Sequence, residues 1–150
     1  MAKLFNASDA AALALHAMTY LARSKGKLVR TGEIAEHYNV SEAHLAKVTN
    51  RLKKEGLVNT TRGPRGGLLL SRSADKITVK EVYEAIEGPF ELSRCMFGLP
   101  VCDGNGCLLG VFFKEVADVV EGMMSETKLS QVCLSMKGEL DNEHERDHQD

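Results

Sequence analysis

A glycine-rich hairpin placed directly after a helix–turn–helix pattern restricts the fold of this chain more than any other feature. Ser41 can cap a helix in which Leu45, Val48 and Leu52 recur at helical spacing, and Gly56 stops it. Residues 57–62 and 68–72 then read as two short strands around the tip Gly63-Pro64-Arg65-Gly66-Gly67. Upstream, Thr31 can cap a short helix carrying Ile34 and Ala35 and ending near Asn39. Before it, Ser8 or Asp9 can cap a helix reaching Arg23, with Leu13, Ala17, Tyr20 and Leu21 at helical spacing. The pattern predicts a mainly α fold with a small β-hairpin wing, a winged helix-turn-helix occupying residues 1–88.

Thr78-Val79-Lys80-Glu81 has the form of a capping box and opens a helix that ends near Gly88. Residues 89–107 hold Gly98, Pro100, Gly104 and Gly106 and read as a loop. Beyond it, Leu109, Phe112, Phe113, Val116, Val119, Val120 and Met123 form a wide apolar stripe on a long helix. That stripe exceeds what so small a domain covers by itself, so residues 108–138 read as a dimerisation helix followed by a short C-terminal helix over 128–136. Residues 139–150 carry six acidic groups against Arg146 alone and read as a disordered acidic tail.

The net charge of -2 conceals a polar distribution. Within 43–73 the basic residues Lys47, Arg51, Lys53, Lys54, Arg62, Arg65 and Arg72 face only Glu55, which suits a polyanionic partner. Aromatic residues make up 5% with no Trp, which disfavours stacking platforms for single-stranded nucleic acid. The apolar run 10–22 contains His16 and no small-residue cleavage site, so it reads as a globular helix and not as an export leader. No run approaches the roughly 20 apolar residues of a membrane span. A cytoplasmic setting is expected, where thiols stay reduced.

On the third helix, Ser41, Glu42, His44 and Lys47 stand near the N-terminus, where side chains reach base edges of double-stranded DNA in the major groove. Arg51 and Lys54, further along the face opposite the buried stripe, suit phosphates, as do Arg62 and Arg65 on the wing. Three of the four cysteines fall within thirteen residues as Cys95-x6-Cys102-x4-Cys107. Thiols bunched in this way serve as soft metal ligands, with iron–sulfur and structural zinc both compatible, or as a thiol switch. Three unrelated loop cysteines are the remaining reading. No cysteine is paired with a His/Asp base and no nucleotide-binding motif occurs, which argues against an enzyme. Cys133, among Leu129, Val132 and Met136, reads as packing.

Arg62-Gly-Pro-Arg-Gly-Gly-Leu-Leu-Leu, preceded by Leu45, Leu52 and Gly56-Leu57-Val58, resembles the Rrf2 family of winged-helix regulators. Ile77-Thr78-Val79, Val82, Ala85-Ile86-Glu87-Gly88 and the cysteine triplet match the same family, so the likeness covers about residues 8–125. The resemblance implies a homodimeric transcription factor responding to redox, nitric oxide or iron–sulfur status. Its cluster, two-iron or four-iron, would be held by Cys95, Cys102 and Cys107. The outer span of the triplet is kept, with Cys102 displaced by one position, which leaves the nuclearity open. A fourth ligand is implied from the first helix of the partner subunit, where His16 or Asp9 are the candidates. These two lie roughly 10 Å apart by helical rise, too far for both to bind one iron. A metal-free regulator of the same fold, switched by its thiols or by a protein partner, is the competing expectation.

Overall fold

The computed structural model describes residues 7–91 and 107–135. Its elements run α1 (Asp9–Arg23), α2 (Thr31–His37), α3 (Glu42–Lys54), β1 (Val58–Thr61), β2 (Gly67–Leu70), a 3-10 turn (Ala74–Lys76), α4 (Val79–Glu87), α5 (Leu108–Glu126) and α6 (Leu129–Ser135). The fold is mainly helical with one antiparallel hairpin, as the sequence predicts. The acidic tail and the interval holding Cys95 and Cys102 lie outside the described residues.

Local signals account for most boundaries. The Ser8 hydroxyl accepts from the Ala11 N–H, Ser41 from His44 and Thr78 from Glu81, so each satisfies a backbone donor that the first helical turn leaves free. Gly56 takes a left-handed φ of 70° after α3, the conformation that ends a helix most readily at glycine. One cap differs from expectation. Arg30 and not Thr31 precedes α2, because the Glu33 carboxylate accepts the Arg30 N–H at 2.6 Å and draws the start back by one residue.

The core is built from α1, α3 and α4, with Met18, Ile34, Leu45, Leu52, Ile77 and Val82 fully enclosed. Residues 127–129 fold back onto the start of α4: Val79 N–H donates to the Thr127 carbonyl at 3.0 Å and Leu129 N–H to Ile77 at 2.8 Å. That brings Leu129 into the core and lays α6 along α1.

The hairpin pairs Val58 with Leu70 and Thr61 with Gly67. Both strands are shorter than the sequence suggests, which leaves Arg62 just beyond β1. A third short piece of extended chain supports them. Val29 exchanges two backbone hydrogen bonds with Leu68, at 3.0 and 2.7 Å.

The long helix α5 resolves its wide stripe into two. Phe113, Val116 and Val120 are half-buried, while Leu109, Phe112, Val119 and Met123 stand exposed, Met123 at 64%. The exposed set stands at steps of three, seven and four residues, which keeps it on one face of the helix, as in a helix–helix seam. Among the described residues, no helix is long and apolar enough to cross a membrane.

Candidate nucleic-acid interface and cysteine segment

α3 buries Leu45, Val48, Thr49 and Leu52 and turns its other face outward. Ser41, Glu42, His44, Lys47, Arg51 and Lys54 are all exposed, and Arg62 and Arg65 are exposed at the wing. None of these basic side chains is engaged by a carboxylate among the described ion pairs, which involve Arg72, Lys80 and their glutamates. Basic side chains outnumber Glu42 on this face, which leaves it with the excess positive charge that suits a phosphate backbone.

Ser41 has one acceptor committed to its cap, where His44 N–H donates to the hydroxyl at 3.2 Å. Arg51 is further committed: its Nη1 donates to the Ile86 carbonyl at 3.1 Å. This ties α3 to the last turn of α4, whose carbonyls lack helical partners and favour a cation. The same turn is gripped from the other side, where the Ser8 N–H donates to Glu87 Oε1 at 3.1 Å and the Ser8 hydroxyl donates to the same oxygen. Phe90 N–H then donates to Glu84 Oε1 at 2.9 Å, and its ring meets Tyr83 edge-on at 5.7 Å.

The wing glycines have causes inside the protein. A Cβ on Gly66 would stand 2.1 Å from the Thr61 carbonyl oxygen, and one on Gly67 would stand 2.7 Å from that of Val29. Arg30, which the charge pattern did not single out, donates from Nη2 to the Pro64 carbonyl at 3.2 Å. It lies 34 residues upstream of its partner, so nothing local marks it.

Cys107 is the one member of the triplet among the described residues. It caps α5, and its Sγ accepts the Gly110 N–H at 3.3 Å. A sulfur at a helix N-terminus facing a backbone donor is well placed to carry the negative charge of a metal-bound thiolate. Asp9 and His16 both lie exposed on α1. His16 belongs to a surface ring cluster, 5.2 Å from Tyr38, whose hydroxyl donates to the His16 carbonyl at 3.2 Å. Among the described residues, no three potential ligands converge on one point. Cys133 is packed against the core, with its Sγ 3.7 Å from the Thr19 carbonyl, and burial pushes its thiol up.

A three-helix body, an exposed recognition helix and a braced wing define a winged-helix regulator. The chain matches the Rrf2 family, described as iron-dependent transcriptional regulator, over residues 7–134, and it belongs to that family. It is 33% identical over 124 residues to the HTH-type transcriptional regulator IscR of Photorhabdus laumondii, covering 79% of this chain and 75% of that protein. A relative from Aquifex aeolicus is 30% identical over 128 residues, 83% of this chain and 89% of the relative. Among solved structures, CymR, the global cysteine regulator of B. subtilis, superposes with a TM-score of 0.75 at 24% identity, covering 87% of this chain and 98% of CymR. IscR of T. potens superposes with a TM-score of 0.68 at 24% identity, covering 97% and 94%. The family is one of DNA-binding transcriptional regulators and not of enzymes.

Proposed function

We propose that this chain is a homodimeric, sequence-specific regulator whose affinity for double-stranded DNA is set by an iron–sulfur cluster on Cys95, Cys102 and Cys107. Base edges are read by Ser41, Glu42, His44 and Lys47, and phosphates are held by Arg51, Lys54, Arg62 and Arg65. The exposed seam of Leu109, Phe112, Val119 and Met123 packs on a second copy, setting the distance between two recognition helices. The fourth ligand comes from the partner's α1, through His16 or Asp9.

One observation carries the coupling. The cysteine segment is bounded on one side by α4, whose last turn is held by Arg51 of the recognition helix. On the other side it is bounded by Cys107, which starts the helix bearing the exposed seam. When bound, an iron–sulfur cluster supplies redox chemistry and reactivity toward oxidants or nitric oxide. The chain's own part is mechanical: the placement of α4 relative to α5 shifts with a change in the cluster, and half-site spacing follows. Support for the metal comes from the donor chemistry of the triplet, the N-terminal position of Cys107 and the IscR relatives.

Anaerobically purified protein tests this reading. It should show broad visible absorption and, when reduced, a paramagnetic signal, both lost on Cys107→Ala. Stoichiometric zinc without iron, or a colourless protein whose thiols pair on oxidation, would overturn the cluster and leave a thiol-switched regulator of the same fold.

A further inference from the structure

The wing consists of two four-residue strands, a unit that is marginal in water without further support. Its base is secured by the two-way pairing of Val29 with Leu68. The tip projects beyond that pairing and is closed by the Gly66 N–H donating to the Gly63 carbonyl at 2.9 Å. One side chain reaches it from the helix–turn–helix. Arg30 Nη2 donates to the Pro64 carbonyl at 3.2 Å, and that carbonyl is the only backbone hydrogen-bonding group a proline has.

Arg30 is well anchored for this purpose. It follows Val29, which is paired into the wing base, and precedes α2, with its own N–H held by Glu33. The guanidinium therefore spans from the start of the helix–turn–helix to the end of the hairpin. A guanidinium presents its donors in a planar fork, so the other N–H groups stay available to solvent or to a phosphate.

We propose that Arg30 is a positioning residue of the wing: it fixes the tip, and the DNA affinity contributed by Arg62 and Arg65 depends on it. This rests on the reading of the wing as a DNA contact. A tip held in place before binding avoids the ordering cost that a loose hairpin would incur on the duplex. Loss of one such hydrogen bond should weaken binding by about three- to ten-fold, the range a single net hydrogen bond spans.

The test uses Arg30→Met in the full chain, which keeps the aliphatic stem and removes the fork. Without DNA, solvent exchange measured by NMR should quicken at Gly66 while the core amide of Leu52 is unchanged. With a duplex selected from a random pool by the wild-type protein, binding should weaken by about three- to ten-fold. In an Arg62→Ala/Arg65→Ala background that loss should shrink towards none. Unchanged exchange at Gly66 would overturn the positioning role. So would an equal loss in the background lacking the wing arginines, which would make Arg30 an independent phosphate contact. If Arg62→Ala/Arg65→Ala binds as the wild type does, the wing reading itself fails, and exchange at Gly66 still reports on the strut separately.

Discussion

Single residues divide here between those committed to the fold and those left free for a partner. Gly67 belongs to the first group, since its missing Cβ makes room for the Val29 carbonyl that pairs with Leu68. Gly67→Ala should destabilise the protein by about 1–3 kcal/mol through overpacking against backbone that cannot retreat, which chemical denaturation would measure. Lys54 belongs to the second group, exposed at the end of α3 and unpaired by any described carboxylate. Lys54→Ala should lower the slope of log affinity against log salt by about one unit while leaving the sequence preference intact. An unchanged slope would remove Lys54 from the phosphate contacts. Cys133 sits between the groups: its raised thiol and its place against α1 mark a packing residue, in keeping with its spacing in the sequence.

At the scale of elements, capping chemistry makes the helices legible and long-range contacts limit that legibility. Ser8, Ser41, Thr78 and Gly56 act through neighbours within a few residues, so the starts of α1, α3 and α4 and the end of α3 follow from sequence. The start of α2 shifts because a glutamate three residues on holds a backbone N–H, a signal that does not depend on the capping residue being polar and short. The exposed face of α3 is legible from periodicity. The contacts of Arg51 with Ile86 and Arg30 with Pro64 are not, since each joins residues more than 30 apart. The division of the α5 stripe also escapes periodicity, because packing against α4, distant in sequence, covers one half.

The α4 capping box offers a test with a definite sign. Partial burial raises the Glu81 carboxyl, but the Thr78 N–H and hydroxyl and the Arg72 guanidinium outweigh it and hold the group below its ordinary range. A depressed carboxylate stabilises the fold above its unfolded pKa, and that contribution is lost as pH falls through the folded value. Glu81→Gln should therefore cost about 0.5–1 kcal/mol at neutral pH, kept small by the exposure of both partners. The gap to wild type should close in acid. Thermal melts across pH would show it, and a gap that widens on acidification would contradict the assignment.

For the whole molecule, the proposed function has DNA reading and sensing meet at a dimer formed through the exposed apolar seam on α5. Val119→Glu should give a monomer by sedimentation and reduce affinity for a two-half-site duplex at least ten-fold, while a stable dimer would move the interface elsewhere. On the proposed mechanism the cysteine segment governs the DNA-binding face. The most direct measurement is the affinity of anaerobically purified protein for its selected duplex, before and after exposure to nitric oxide. The wild type should change affinity by at least ten-fold, and Cys107→Ala should show one affinity under both conditions. Equal responses in the two proteins, or none in either, would contradict it.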